Sequence, residues 1–155
     1  MLKRLLRKSF CLMYNTGMTE KVDIHKAGAV ILDGHGNFLV TRAVGKDIFV
    51  APGGKLEEGE SVLDALAREM MEEVQVVVNT ETAEHLGTFR AVAAGSESRM
   101  VEMDVYLIHD STGEPVPSSE IEEIMWVNTH TEGVPIGSIF EHDVMPLLKQ
   151  RELID

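Results

Sequence analysis

Two apolar runs, residues 27–32 and 38–42, flank the turn-forming cluster Asp33, Gly34, His35, Gly36 and Asn37, a pattern that predicts two antiparallel strands joined as a hairpin. Residues 61–74 instead repeat their apolar positions every three to four residues, which predicts a helix. Ser61 followed by Asp64 gives it a capping-box start, with Asp in place of the usual Glu. Further on, Val101, Met103, Val105 and Leu107 alternate with Glu102, Asp104 and Tyr106. Strands are therefore expected over 84–91 and 100–109, forming a second hairpin around the loop at 93–98. A loop over 111–119, rich in Ser, Pro and Gly, leads to a short strand at 124–127, and residues 138–153 read as a closing helix.

A chain of 155 residues with 44% hydrophobic positions has room for one compact core and not for two. No apolar run approaches the roughly 20 residues a membrane-spanning helix needs, so no membrane span is expected. The organisation expected is a basic, loosely ordered extension over residues 1–21 followed by a single domain over 22–155. The extension carries Lys3, Arg4, Arg7 and Lys8 with no acid before residue 18, and an amphipathic membrane-surface helix or a targeting segment is the alternative reading. The formal net charge of −12 disfavours duplex nucleic acid as a partner, because phosphate-backbone affinity comes from clustered Lys and Arg. One cysteine, Cys11, cannot close an intrachain disulfide, which suits a reducing, cytoplasmic setting.

Placed on a helix, Leu63, Leu66, Ala67, Met70 and Val74 share one sector while Glu69, Glu72 and Glu73 share another. Like charges at three- and four-residue spacing repel by a few tenths of a kcal/mol per pair, and only Arg68 is at hand to relieve them. A solvated helix face would explain such glutamates on an arbitrary helix. Here the helix follows APGGKLEEGE, in which Pro52, Gly53 and Gly54 allow a tight backbone path that can present amides or carbonyls to an ion or phosphate. A glycine loop leading into clustered carboxylates points to metal-assisted chemistry on phosphates.

The segment resembles the box of the Nudix hydrolase family, G-x5-E-x7-R-E-U-x-E-E-x-G-U with U aliphatic. Gly54, Glu60, Arg68, Glu69, Met70, Glu72, Glu73 and Val76 fall in register, while Gln75 stands in place of the last glycine. Similarity extends outside the box: Phe49 precedes PGG where the family often has Trp, and residues 120–127 resemble a recurrent strand of the family. About residues 22–151 are covered.

The resemblance implies an α+β fold, a mixed sheet flanked by helices in an α/β/α sandwich. It implies Mg²⁺ or Mn²⁺ held by the Gly53 carbonyl, Glu69, Glu72 and Glu73, with Arg68 orienting a glutamate and Glu60 supporting the loop. Glu120, six residues before Trp126, matches a further metal-binding or base glutamate of MutT-like members, or is a solvated acid beside Glu122 and Glu123. Lys55 and Arg42 flank the box and either meet substrate phosphates or are ordinary surface charge.

The six histidines show no ligand-spaced pair. The run from Phe140 to Asp143 reads either as a base-reading group or as a plain helix start. Gln75 is expected to cost about 1 kcal/mol in a left-handed helix stop, or to extend the helix. The implied activity is hydrolysis of a phosphoanhydride in a nucleoside diphosphate linked to another moiety, with a (d)NTP pyrophosphohydrolase foremost. ADP-ribose, nucleotide-sugar or dinucleoside polyphosphate hydrolysis, or a catalytically silent nucleotide sensor, are the alternatives. The expected partner is a small nucleotide, and the expected assembly a monomer or homodimer.

Overall fold

The computed structural model describes residues 21–93 and 98–155. The N-terminal extension expected over residues 1–21 lies almost wholly outside them, as does the middle of the 93–98 loop.

Strands β1 (Ile24–Val30), β2 (Phe38–Ala43) and β3 (Gly53–Lys55) precede helix α1 (Val62–Val74). Strands β4 (Val77–Val78), β5 (Glu84–Val92), β6 (Met100–Leu107), β7 (Ser111–Thr112) and β8 (Ile121–Val127) follow, and the described chain closes with a π-helical turn, Phe140–Val144, running into α2 (Met145–Gln150). The main sheet has the order β3-β1-β6-β5 and is mixed: β1 is parallel to β6, while the other two pairings are antiparallel. β2 pairs with β8, and β4 with β7.

The first hairpin forms only at its tip. Asp33 accepts the His35 and Asn37 amides at 2.7 and 3.1 Å, and the Leu39 amide donates to the Ile31 carbonyl. Beyond that the strands part, because both edges of β1 are already filled by β3 and β6 and β2 finds its partner in β8. The second hairpin, β5–β6, forms as the alternation predicts, with Val105 and Leu107 buried and Asp104 on the opposite face.

Two apolar clusters sit on the two faces of the main sheet. Ala27 and Ala29 pack with Leu66, Met70 and Val74 of α1 on one face, and Val30, Val105 and Leu107 pack with Phe140, Val144 and Leu148 on the other. The result is an α/β/α arrangement with α1 and the closing helix on opposite sides.

Both ends of α1 are locally encoded. Ser61 Oγ accepts the Asp64 amide at 3.1 Å and Asp64 Oδ2 accepts the Ser61 amide at 3.2 Å, so the capping box closes. Gln75 does not extend the helix: it adopts φ 56°, ψ 35°, and its amide reaches back to Met71 O. The closing helix is shorter than 138–153 and is not α-helical throughout. Pro146 has no amide to give, and the preceding turn widens to the π form, with the Met145 amide bonded to Phe140 O.

Candidate active site

Residues on α1 meet the main sheet with a rotation that the helical wheel alone does not reveal. Ala65 and Leu66 lie at the centre of the interface, and the buried face extends as far as Glu69 (9% exposed) and Glu73 (4% exposed), leaving Glu72 outside. Two carboxylates are therefore carried into the protein beside β3.

The glycines of β3 make room for them. Any side chain at Gly54 would run into the Glu69 carboxylate. Gly53 has φ 152° and lies so close to the backbone of Ala27 and Gly28 that a β-carbon there would collide with it, so only glycine fits. The Gly53 amide is directed at Glu73.

Glu120 arrives from a distant part of the sequence. The loop after β7 docks on the end of α1 through two backbone bonds, Val116 N–H to Val74 O at 3.0 Å and Ser118 N–H to Glu73 O at 2.9 Å. This places a carboxylate oxygen of Glu120 within 4.8 Å of one from Glu69 and one from Glu73. Burial, then Glu69, then Glu120 push the Glu73 carboxyl well above the ordinary carboxylate range, whereas the Ser119 hydroxyl and a backbone amide hold Glu120 below it. Three converging oxygen donors, two of them buried and one reluctant to ionise alone, fit a hard divalent cation, which would balance their charge.

Arg68 braces the cluster from outside. Its Nε and Nη2 bond Glu60 at 2.6 and 2.9 Å, Nη1 bonds Glu69 Oε1 at 2.9 Å, and Nη2 also donates to the Lys55 carbonyl at 3.1 Å. Glu60 in turn accepts the Glu57 amide at 2.8 Å. Glu72 stays exposed, 3.4 Å from Arg68 Nη1 and outside the three-oxygen group.

Arg42 is engaged elsewhere, bonding Glu122 at 2.7 Å and Glu123 at 2.8 Å on β8 with its guanidinium 5.6 Å from the Phe49 ring centre. Lys55 is exposed on β3. In the run from Phe140 to Asp143, Phe140 is buried in the core while Glu141, His142 and Asp143 are exposed.

One grouping was invisible to sequence spacing. His25 and His85 converge on Asp104 from the strands on either side of β6, at 2.6 and 2.9 Å, and the Thr88 hydroxyl adds a third bond at 2.6 Å. Burial opposes ionisation of Asp104, but these bonds hold its carboxyl below the ordinary value. Only the cross-strand register brings these residues together, and alternation along β6 is the one local sign that Asp104 shares a face with them.

A sequence model of the NUDIX domain matches residues 25–144. The uncharacterized Nudix hydrolase YvcI of Bacillus subtilis is 33% identical over 81 residues, half of this chain; the chain spans about half the length of that curated relative (49%). Among solved structures, the MutT NUDIX hydrolase of Burkholderia pseudomallei is 26% identical, with a TM-score of 0.66 over 82% of this chain and 96% of that one. A MutT structure from Aliivibrio salmonicida and Vibrio cholerae is 21% identical, with a TM-score of 0.64 over 82% and 98%, a likeness of fold.

Proposed function

Because the chain belongs to the NUDIX domain family, we propose that it hydrolyses a phosphoanhydride bond in a nucleoside diphosphate linked to another moiety, with a (d)NTP as the favoured substrate and Mg²⁺ or Mn²⁺ as the cofactor. The observation that carries this reading is the convergence of Glu69, Glu73 and Glu120. Glu72, exposed on α1, and the Gly53 carbonyl would be further ligands for the cation. A bound divalent cation supplies charge neutralisation on the phosphates and acidifies water.

The chain's own residues do the rest. Arg68 keeps Glu69 in one orientation, and Glu60 keeps Arg68 in place. Once its charge is balanced, Glu73 or Glu120 takes the proton from the attacking water, and since the carboxylates are close enough to titrate together the base belongs to the group. Lys55, on the strand that borders the cluster, meets a substrate phosphate. Arg42, already paired with two glutamates, acts as a strut between β2 and β8. The fold's likeness to MutT structures and the PGGKLEEGE segment support a nucleoside triphosphate, cleaved to the monophosphate and pyrophosphate.

Among the described residues no helix is long and apolar enough to cross a membrane. The test is a panel of dNTPs, ADP-ribose, nucleotide sugars and dinucleoside polyphosphates with Mg²⁺, scored by phosphate or pyrophosphate release. Turnover of a dNTP with pyrophosphate as product supports the reading; no turnover of any member with either metal overturns it.

A further inference from the structure

Lys26 and Lys55 are direct partners in the antiparallel pairing of β1 with β3. Like charges placed opposite one another across two strands repel. Among the described residues, neither ammonium has a carboxylate within ion-pair distance or a hydrogen-bond acceptor, although the chain offers 26 acids to 14 bases. The other described lysines, Lys21, Lys46, Lys55 and Lys149, are exposed; Lys26 is half-buried. Among the described residues no fully buried side-chain nitrogen or oxygen lacks a partner, so the Lys26 ammonium is reached by water, and two ammoniums held together without acids of their own stand open to an anion.

The surroundings define that anion. The next partners along these strands are Ala27 and Gly54, which look to the opposite face, where Gly54 meets the Glu69 carboxylate; on the lysines' own face come Gly28 and Gly53, so no side chain of β3 separates the lysine pair from the glycine loop. Gly53 directs its amide at Glu73, which puts the carboxylate cluster just beyond the edge strand. Burial and Lys55 both lower the Lys26 pKa, and Glu73 and Glu69 oppose them without cancelling them. Two cations paired across β1 and β3, with the proposed cation site beside the same edge strand, suit a substrate that carries several linked phosphates.

Building on the proposed hydrolase reading, we propose that Lys26 is a second phosphate-contacting residue, acting with Lys55 to hold the oligophosphate chain of the substrate across β1 and β3. The role is binding and positioning: Lys26 neither donates nor accepts the proton of the reaction.

Lys26→Met retains the apolar stem and removes the charge; Lys26→Arg restores a charge. Each is compared with wild type in Mg²⁺ for kcat, KM and the melting-temperature rise produced by inorganic tripolyphosphate. For Lys26→Met the inference expects KM at least tenfold higher, kcat within threefold, and at least half of the tripolyphosphate-induced rise lost. The melting temperature without tripolyphosphate should be equal to wild type or higher, because the repulsion between Lys26 and Lys55 is gone, and Lys26→Arg should recover most of the tripolyphosphate response. A wild-type KM and tripolyphosphate response in Lys26→Met overturns it, as does a lowered melting temperature with kcat and KM damaged alike, which marks a structural lysine. Absence of any tripolyphosphate response in the wild type also overturns it. Absence of nucleotide turnover in a wild type that does respond to tripolyphosphate overturns the hydrolase reading and leaves the phosphate site standing.

Discussion

Arg68 faces Glu60 as a two-pronged fork, Nε to Oε1 at 2.6 Å and Nη2 to Oε2 at 2.9 Å, and the same guanidinium reaches Glu69 with its remaining nitrogen. A residue before α1 thereby orients a buried carboxylate two turns into it. The bidentate arrangement restricts the guanidinium more tightly than a single bond would.

That fork has an acid signature. Arg68 first, and the Glu57 amide second, bring the Glu60 carboxyl down to about 2 from an ordinary 4.5. As pH falls, the unfolded chain takes up this proton before the folded one, so the contribution is complete above 4.5 and disappears between there and about 2. Melting temperature followed over that window should fall more steeply for wild type than for Glu60→Gln. Parallel curves would show that the pair adds nothing in water.

Glu73 has the opposite sign. Its carboxyl lies above the ordinary 4.5 because of burial and its carboxylate neighbours, so the metal-free folded state holds a proton that the unfolded state has released. The associated stability is complete below 4.5 and is lost as pH rises toward the folded value. In chelator, wild type should therefore lose stability on going from pH 5 to pH 8, and Glu73→Gln should lose less. The same variant should turn over at least about a hundredfold more slowly, as expected for a lost metal ligand or its partner. Equal pH slopes for the two proteins would contradict the assignment.

Gln75 ends α1 in a left-handed conformation that costs a side chain about 1 kcal/mol relative to glycine. Its side-chain bond to Ser118, 3.3 Å and exposed, offsets little of this. Gln75→Gly should raise the melting temperature by a few degrees with turnover unchanged. A fall would mean that the contact with Ser118 outweighs the backbone strain.

What could be read from the chain follows the range of the interactions involved. The limits of α1 depend on Ser61, Asp64 and Gln75, all local, and the alternation along β6 reports its own two faces. The partner of β2 could not be read, since it depends on β3 and β6 having already taken both edges of β1. Nor could the division among the three helix glutamates: a wheel groups Glu69, Glu72 and Glu73, but the docking of Ala65 and Leu66 on β1 decides that Glu69 and Glu73 go in and Glu72 stays out. Glu120 could be suspected only from the family resemblance, because a long loop brings it to the helix, and the pairing of His25 and His85 through Asp104 exists only in the sheet.

The cation site formed by Glu69, Glu73 and Glu120 is most directly tested by binding linkage. Mn²⁺ or Mg²⁺ is titrated at constant ionic strength against the melting temperature of wild type and of the Glu69→Gln, Glu73→Gln, Glu120→Gln triple variant, with proton release followed in parallel. An ion that binds only the folded state adds about 2.7 kcal/mol at a hundred times its dissociation constant. The account predicts a rise of several degrees at millimolar ion for wild type, accompanied by proton release, and almost none of either for the triple variant. An equal rise in both proteins would contradict it, leaving the three glutamates as an acidic cluster without a cation-binding role.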